Sequence, residues 1–218
     1  MKKFIAIAGN IGVGKSSLVK LLCEQMDWSP VYEPVNENPY LADFYKNMEK
    51  WGFHSQIFFL SHRILIHKEI MSHSNSVIQD RSIYEDAEIF ARNLYHQGFI
   101  SDRDFKTYYD LYQSVSTFLL PPDLLIYLKA SESTLQKRIQ LRNRSYEKTI
   151  PSEYLLQLNT LYEQWIEGFS LCPVLTIQAD DLDYVADESH LGLIKTKVQE
   201  KLTGKDQIVF PRRSPQEE

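Results

Sequence analysis

The stretch Gly9-Asn10-Ile11-Gly12-Val13-Gly14-Lys15-Ser16 decides how the rest of this chain reads. It fits G-x-x-x-x-G-K-S/T at every fixed position. An apolar run, Phe4-Ile5-Ala6-Ile7-Ala8, precedes it, and an amphipathic segment over 15–26 follows. Glycines let the backbone curl so that successive N–H groups face phosphate oxygens. The helix that follows offers its N-terminus to the same anion. Lys15 reaches the β- and γ-phosphates as a flexible point charge. The Ser16 hydroxyl can ligate Mg²⁺, and Ser17 continues the loop into the helix. Residues 9–17 are therefore expected to hold a nucleoside triphosphate.

Outward from this loop, strands and helices alternate. Residues 4–8, 30–33, 76–80, 124–128 and 174–177 read as strands. Segments 15–26, 39–48, 53–71, 83–95, 101–119, 131–141, 151–169 and 190–202 read as helices, with serine caps at Ser101 and Ser131. This order predicts an α/β fold with a five-stranded parallel sheet covered by helices on both faces. No repeat or linker divides the chain, so residues 1–204 are expected to form one domain, with a polar tail over 205–218. Within that tail, Ile208-Val209-Phe210 is apolar enough to dock on the body.

The 218 residues, 43% hydrophobic and 24% charged, fit one α/β domain with a sizeable core. A net charge of −5 gives no reason to expect a nucleic-acid partner. The first apolar run is too short for a signal segment or a membrane span. The two cysteines, Cys23 and Cys172, fit apolar positions in a helix and a strand and form no disulfide framework. A cytoplasmic protein is expected. The histidines have no metal spacing, and His62 and His67 read as helix-surface residues.

Three further groups carry chemistry. Glu33, at the end of the second strand, can face the γ-phosphate and accept a hydroxyl proton, because open parallel sheets place their crevice outside these strand ends. Asp80-Arg81-Ser82 closes the third strand. Asp80 can hold Mg²⁺, and Arg81 can meet Glu33, a phosphate or an acceptor hydroxyl. Arg138, Arg142 and Arg144 crowd one helix end, where an anion would relieve their repulsion. They define an arginine-rich lid over about 142–151, able to stabilise a migrating phosphoryl group and exclude water. A guanine-reading N-K-x-D element is absent from the sequence, which argues against a GTPase switch.

Taken in order, the phosphate loop, Glu33-Pro34, Trp51-x-Phe53-x-x-Gln56, Asp80-Arg81-Ser82 and Arg138-x-x-x-Arg142-x-Arg144 resemble the deoxyribonucleoside kinases, from Phe4 to about Leu202. Residues 31–40 and 138–151 resemble the bacterial members. The resemblance implies a P-loop kinase fold and transfer of the ATP γ-phosphoryl, with Mg²⁺, to a deoxynucleoside 5′-hydroxyl. It implies Glu33 as general base, Arg81 beside the hydroxyl, and Lys15 with Arg138, Arg142 and Arg144 on the phosphoryl group. Gln56 matches the glutamine that reads the base edge, Phe90 the ring that stacks on the base, and Leu41 a sugar-pocket residue. Tyr45 and Glu147 match the pair that holds the 3′-hydroxyl. Arg63 and Asp86 match a charged pair that thymidine-preferring members replace with apolar residues. Deoxyadenosine and deoxyguanosine are thus favoured, with deoxycytidine next. Near Asn38 some animal members carry a tryptophan, which this chain lacks. The resemblance also implies a homodimer packed through long helices. The alternatives are a nucleoside monophosphate kinase of the thymidylate type and a nucleotide-binding regulator.

Overall fold

The computed structural model describes residues 2–144, 147 and 150–204. Five parallel strands form one sheet in the order β2-β3-β1-β4-β5. They are β1 (Phe4–Gly9), β2 (Ser29–Val31), β3 (Val77–Asp80), β4 (Leu124–Lys129) and β5 (Val174–Gln178). Every residue of β1 and β3 is buried. Successive side chains point to opposite faces, so both faces of these strands are covered; β1 reads as an unbroken apolar run, whereas β3 ends in the buried polar pair Gln79 and Asp80. Pro30 stands in β2, an edge strand, where a missing ladder donor is tolerated.

The helices are α1 (Lys15–Met26), α2 (Leu41–Lys46), α3 (Met48–Ser72), α4 (Ile83–Glu85), α5 (Arg92–His96), α6 (Asp102–Ser116), α7 (Glu132–Arg142), α8 (Ser152–Gly168) and α9 (Glu188–Thr203). A π-helical turn, Asp86–Ala91, joins α4 to α5 without a break. Register aligns the ends that matter. Ile7 of β1 lies opposite Asp80 of β3, and Gly9 lies opposite Leu128 of β4. The phosphate loop and the Asp80-Arg81-Ser82 segment therefore leave the sheet side by side.

Several expectations are corrected. Strand β2 stops at Val31, so Glu33 lies just beyond it, before a 3-10 turn at Val35–Glu37. Proline at 34 cannot supply the N–H that a longer ladder would need. Helix α3 starts at Met48 instead of residue 53, because the Asn47 side chain accepts from Lys50 N at 2.9 Å and caps it. The same residue breaks the expected helix over 39–48. Cys172 precedes β5 instead of lying in it, and both cysteines are free thiols.

His67 is not a surface residue. It is buried with its ring edge-on to Phe4, the centroids 5.7 Å apart, beside Ile70 and Val77. Leu60, Arg63, His67 and Ile70 share the inward face at helical spacing. Most of the lid loop between 144 and 150, and the tail with Ile208-Val209-Phe210, lie outside the described residues.

Candidate active site

The phosphate loop is held by contacts that need its glycines. At Gly12 φ is 84°, and a Cβ there would lie 2.7 Å from Ile139 Cγ1 and 2.9 Å from the Leu135 carbonyl oxygen. Only glycine lets the loop press onto α7 in this conformation. At the next glycine, Tyr184 donates its hydroxyl to the Gly14 carbonyl at 3.0 Å. Asn10 reaches the other way, donating to the Leu155 carbonyl at 2.9 Å and to Asn159 Oδ1 at 2.8 Å, both on α8.

Lys15 is buried, and its ammonium donates to the carbonyls of Gly9 (2.9 Å) and Asn10 (3.1 Å). Burial, then repulsion from Arg81, lowers its pKa to about 8, with Asp80, Glu33 and Glu85 pulling the other way. Ser16 Oγ donates to Asp80 Oδ2 at 2.5 Å. The second oxygen, Asp80 Oδ1, is buried without a hydrogen-bond partner among the described residues. A hydroxyl and a carboxylate with one unsatisfied oxygen form a donor set that fits a divalent cation also held by phosphate oxygens. Among the described residues, no group of three or more His, Cys, Asp or Glu could hold a metal unaided.

On one side of Lys15 lies a groove of about 690 Å³, lined by Gly12, by Gly14 to Ser17, by Arg138 and Leu141 of α7, and by the loop 180–185. On the other side lies a cavity of about 270 Å³. Glu33, Leu41, Tyr45, Gln56, Asp80, Arg81, Asp86, Phe90, Arg142, Arg144 and Glu147 all line this cavity. Gly12, Lys15, Ser16, Arg142 and Arg144 border both spaces. Ser17 and Arg138 border only the groove.

Glu33 is gripped by two guanidinium groups. Arg81 Nε lies 3.0 Å and Arg63 Nη2 3.1 Å from the same oxygen, Oε1. Burial alone would push this carboxyl up, but Arg81, Arg63 and Lys15 together hold it below the usual carboxylate range. Arg63 is itself 1% exposed. It donates from Nε to Asp86 Oδ2 at 3.0 Å, from Nη2 to Oδ1 at 3.4 Å, and from Nη1 to the Asp80 carbonyl at 3.2 Å. Burial lifts the Asp86 carboxyl to about 6 against the pull of Arg63.

The cavity residues Gln56, Asp86 and Phe90 come from α3 and the π-helical turn. The widened π-helical turn carries both Asp86 and Phe90 to the cavity. Arg81 lies over the Phe90 ring, 4.3 Å from its centroid. Gln56 of α3 is buried, and its Oε1 has no hydrogen-bond partner among the described residues.

The three lid arginines divide. Arg142 Nε donates to Glu147 Oε2 at 3.0 Å, and Arg144 Nη1 to Oε1 at 3.3 Å, at the point where groove and cavity meet. Arg138 instead donates to the carbonyls of Val13 (2.8 Å), Ala179 (2.7 Å) and Leu182 (3.2 Å). It ties the phosphate loop to the loop after β5, and its guanidinium is spent on backbone.

The sequence alone did not single out several residues of this region. Tyr32, Phe44, Ser55, Phe59 and Tyr154 complete the cavity wall. Glu85 and Tyr162 lie beneath it, fully buried, bonded to Arg81 or to the phosphate loop. For Glu85 a signal existed, since Ser82-x-x-Glu85 is a capping box and both of its bonds form. Tyr162 had none beyond an apolar helical pattern.

A triphosphate-binding loop with a groove on one side and an acceptor-sized cavity with a carboxylate on the other defines the class: a P-loop phosphotransferase. The family model for "Deoxynucleoside kinase" matches residues 5–203. The deoxyadenosine/deoxycytidine kinase of Bacillus subtilis is 41% identical over 196 residues, covering 89% of this chain and 90% of that one. A deoxyguanosine kinase of Lactobacillus johnsonii is 36% identical over 91% of this chain and 92% of its own length. Among solved structures, deoxyadenosine kinase from M. mycoides with bound dATP superposes with a TM-score of 0.81 at 33% identity, over 90% of this chain and 99% of that one. The chain belongs to the deoxynucleoside kinase family.

Proposed function

We propose that this enzyme transfers the γ-phosphoryl group of ATP to the 5′-hydroxyl of a deoxynucleoside, with deoxyadenosine and deoxyguanosine preferred and deoxycytidine next. The observation that carries this reading is Glu33. It is a carboxylate that lines the same cavity as Lys15, and two arginines orient it. A new bond forms between O5′ and Pγ, the bond from Pγ to the β-bridging oxygen breaks, and the hydroxyl proton passes to Glu33. A carboxylate kept ionised at neutral pH suits this role, because a loose phosphoryl-transfer transition state asks little basicity of its proton acceptor.

Lys15, Arg142 and Arg144 border both spaces and would carry the charge on the transferred group. Arg81, paired with Glu33, would hold the acceptor oxygen beside it. Arg138 acts on the donor side, shaping the loop that lies along the groove. Ser16 and Asp80 would hold Mg²⁺, which neutralises phosphate charge when bound. Tyr45 and Glu147 hold the 3′-hydroxyl, Leu41 packs on the sugar, Phe90 stacks on the base and Gln56 reads its edge.

The Arg63–Asp86 pair supports a purine or cytosine base. Its fixed, buried donors and acceptors penalise a base that leaves them unmatched. The names of the relatives, which cover deoxyadenosine, deoxycytidine and deoxyguanosine kinases, support the same set. An acceptor that already carries a phosphate would meet Glu33, Asp86 and Glu147 in the cavity, which disfavours a monophosphate kinase.

Residues 1–204 are read as one catalytic domain and the protein as cytoplasmic. Among the described residues no helix is long and apolar enough to cross a membrane. A homodimer packed through long helices is favoured by Leu65 on α3 and Leu111 on α6, large apolar side chains left 58% and 44% exposed. An ADP-release assay with dA, dG, dC, dT and dTMP tests the activity. Turnover with dA and dG above dC, and little with dT or dTMP, is expected. Turnover with dTMP alone would overturn the reading, and turnover with none would favour a regulator.

A further inference from the structure

Beneath the acceptor cavity lies a buried cluster that none of the proposed chemical steps uses. Its centre is Glu85, 0% exposed. The Oε1 atom accepts from Gly9 N at 3.2 Å and from the Tyr162 hydroxyl at 2.8 Å, and it lies 3.6 Å from Arg81 Nη1. The Oε2 atom accepts from Ser82 N at 2.8 Å and Ser82 Oγ at 3.2 Å. An ionised carboxylate is tolerated at such depth only when hydrogen bonds and a counter-charge surround it. Here those partners are the first residue of the phosphate loop and the arginine that faces Glu33.

Tyr162 closes the cluster from α8. Its oxygen accepts from Arg81 Nη1 at 2.8 Å and stands 2.9 Å from the Gly9 carbonyl, which also accepts from Lys15. A hydroxyl has one proton to give, so it serves either Glu85 or Gly9 at a time while its lone pairs hold the arginine. The backbone of Arg81 has φ 65°, the left-handed region that a side-chain-bearing residue rarely adopts. Such a conformation persists only where surrounding bonds over-determine it. These bonds are Arg81 N to the Ile7 carbonyl at 3.0 Å, Nε to Glu33, and Nη1 to Tyr162.

We infer that Glu85 and Tyr162 are positioning residues that lock Arg81 to the phosphate loop, so that the guanidinium meets Glu33 at a fixed distance from the donor. The inference rests on the kinase reading above for what Arg81 does, but its geometry is independent of which base is bound. Neither residue borders the groove or the cavity. Loss of either should act through Arg81 on the chemical step and not on substrate contacts.

Tyr162→Phe is the primary test, since it removes one oxygen and keeps the ring. Tyr127→Phe is the control. Tyr127 stacks on Tyr162 at 5.7 Å and is equally buried, but its hydroxyl bonds Glu163, outside the cluster. The variant at 162 should lower kcat with deoxyadenosine about tenfold or more while KM for ATP stays within about twofold, and the control should do neither. In an Arg81→Met background, adding Tyr162→Phe should cost no further kcat, because the hydroxyl then has nothing to position. Additive losses in that background, or equal behaviour of the two phenylalanine variants, would overturn the inference. Glu85→Gln should show the same split with a lower Tm. If it does not fold, the variant at 162 still decides.

A carboxyl-carbon NMR titration of Glu33 reads the cluster without turnover. The Glu33 titration should move up toward the ordinary carboxylate value in Tyr162→Phe and stay put in Tyr127→Phe. An unmoved titration in both would overturn the inference. A wild-type enzyme inactive on every deoxynucleoside would sink the kinase reading instead, and the titration would still judge the positioning role.

Discussion

The donor groove and the acceptor cavity share Lys15 but are made of different materials. The groove is lined by the phosphate loop, α7 and the loop 180–185. Its phosphate loop is shaped by glycines, and one of its arginines, Arg138, is occupied by three carbonyls. The cavity is walled by side chains drawn from α2, α3, the π-helical turn, α7 and α8, and its charges pair with one another. The two carboxylates at the boundary repeat the contrast. Asp80 keeps one buried oxygen unsatisfied beside Ser16, whereas Glu33 is held by two guanidinium groups. Two acids with different surroundings suit the different work proposed for them: a cation for Asp80, a proton for Glu33.

The contrast can be broken most sharply at Glu33. Exchanging it for Gln keeps the shape of the acceptor side but removes the proton acceptor. A fall in kcat of about 10²–10⁴-fold is expected, with the ATP dissociation constant nearly unchanged, as stopped-flow turnover and calorimetry would show. Near-normal turnover would remove Glu33 from the chemistry.

The Arg63–Asp86 pair comes next. Asp86→Ala leaves a buried guanidinium half-paired and should cost about 3–5 kcal/mol in urea unfolding. Arg63→Met combined with Asp86→Ala removes both charges and should cost less than the single change, while shifting preference toward thymidine. An unchanged ranking in the substrate panel would detach the pair from base selection.

The pH dependence separates the two regions. The Lys15 ammonium is charged below about 8 and loses its proton as pH rises through that value. The kcat/KM for ATP should therefore decline on the alkaline side, about tenfold per pH unit once past it. Arg81, Arg63 and Lys15 hold Glu33 below the usual carboxylate range against the push of burial, so its proton uptake should affect turnover only on the acid side.

The smallest effect concerns stability alone. Burial lowers the His67 pKa below its ordinary 6.5, so the folded chain keeps the ring neutral where the unfolded chain protonates it. Stability should fall as pH drops below 6.5, and His67→Phe should remove that dependence. Between pH 7 and pH 5.5 the variant's Tm should drop less than that of the unsubstituted chain.

The same contrast explains what could be read before the structure. The donor end is a contiguous motif between a strand and a helix, so Gly9 to Ser16 declared themselves, and the sheet followed from short strand-like runs alternating with helical segments. The acceptor end is assembled by topology. Glu33, Gln56, Asp86 and Glu147 are far apart in sequence, and only resemblance to a family drew them together. The face of α3 was hidden because apolar residues surround that helix; periodicity therefore could not show that Arg63 and His67 point inward. Glu85 was legible as a helix cap but not as a partner of Arg81, since a capping box says nothing of what else a carboxylate touches. Arg138 shows the opposite failure. It shares a cluster with Arg142 and Arg144, but its long side chain reaches backbone carbonyls that no spacing rule foretells.

The left-handed backbone at Arg81 carries a consequence for anyone seeking a sturdier enzyme. Glycine would adopt that conformation freely, whereas a side-chain-bearing residue gives up roughly 1–2 kcal/mol to hold it. Arg81→Gly would relieve that strain but strip the buried Glu33 and Glu85 carboxylates of their shared guanidinium, a loss of about 3–5 kcal/mol that outweighs it. Robustness and the orientation of Glu33 therefore both keep an arginine at a position where backbone preference alone would place glycine.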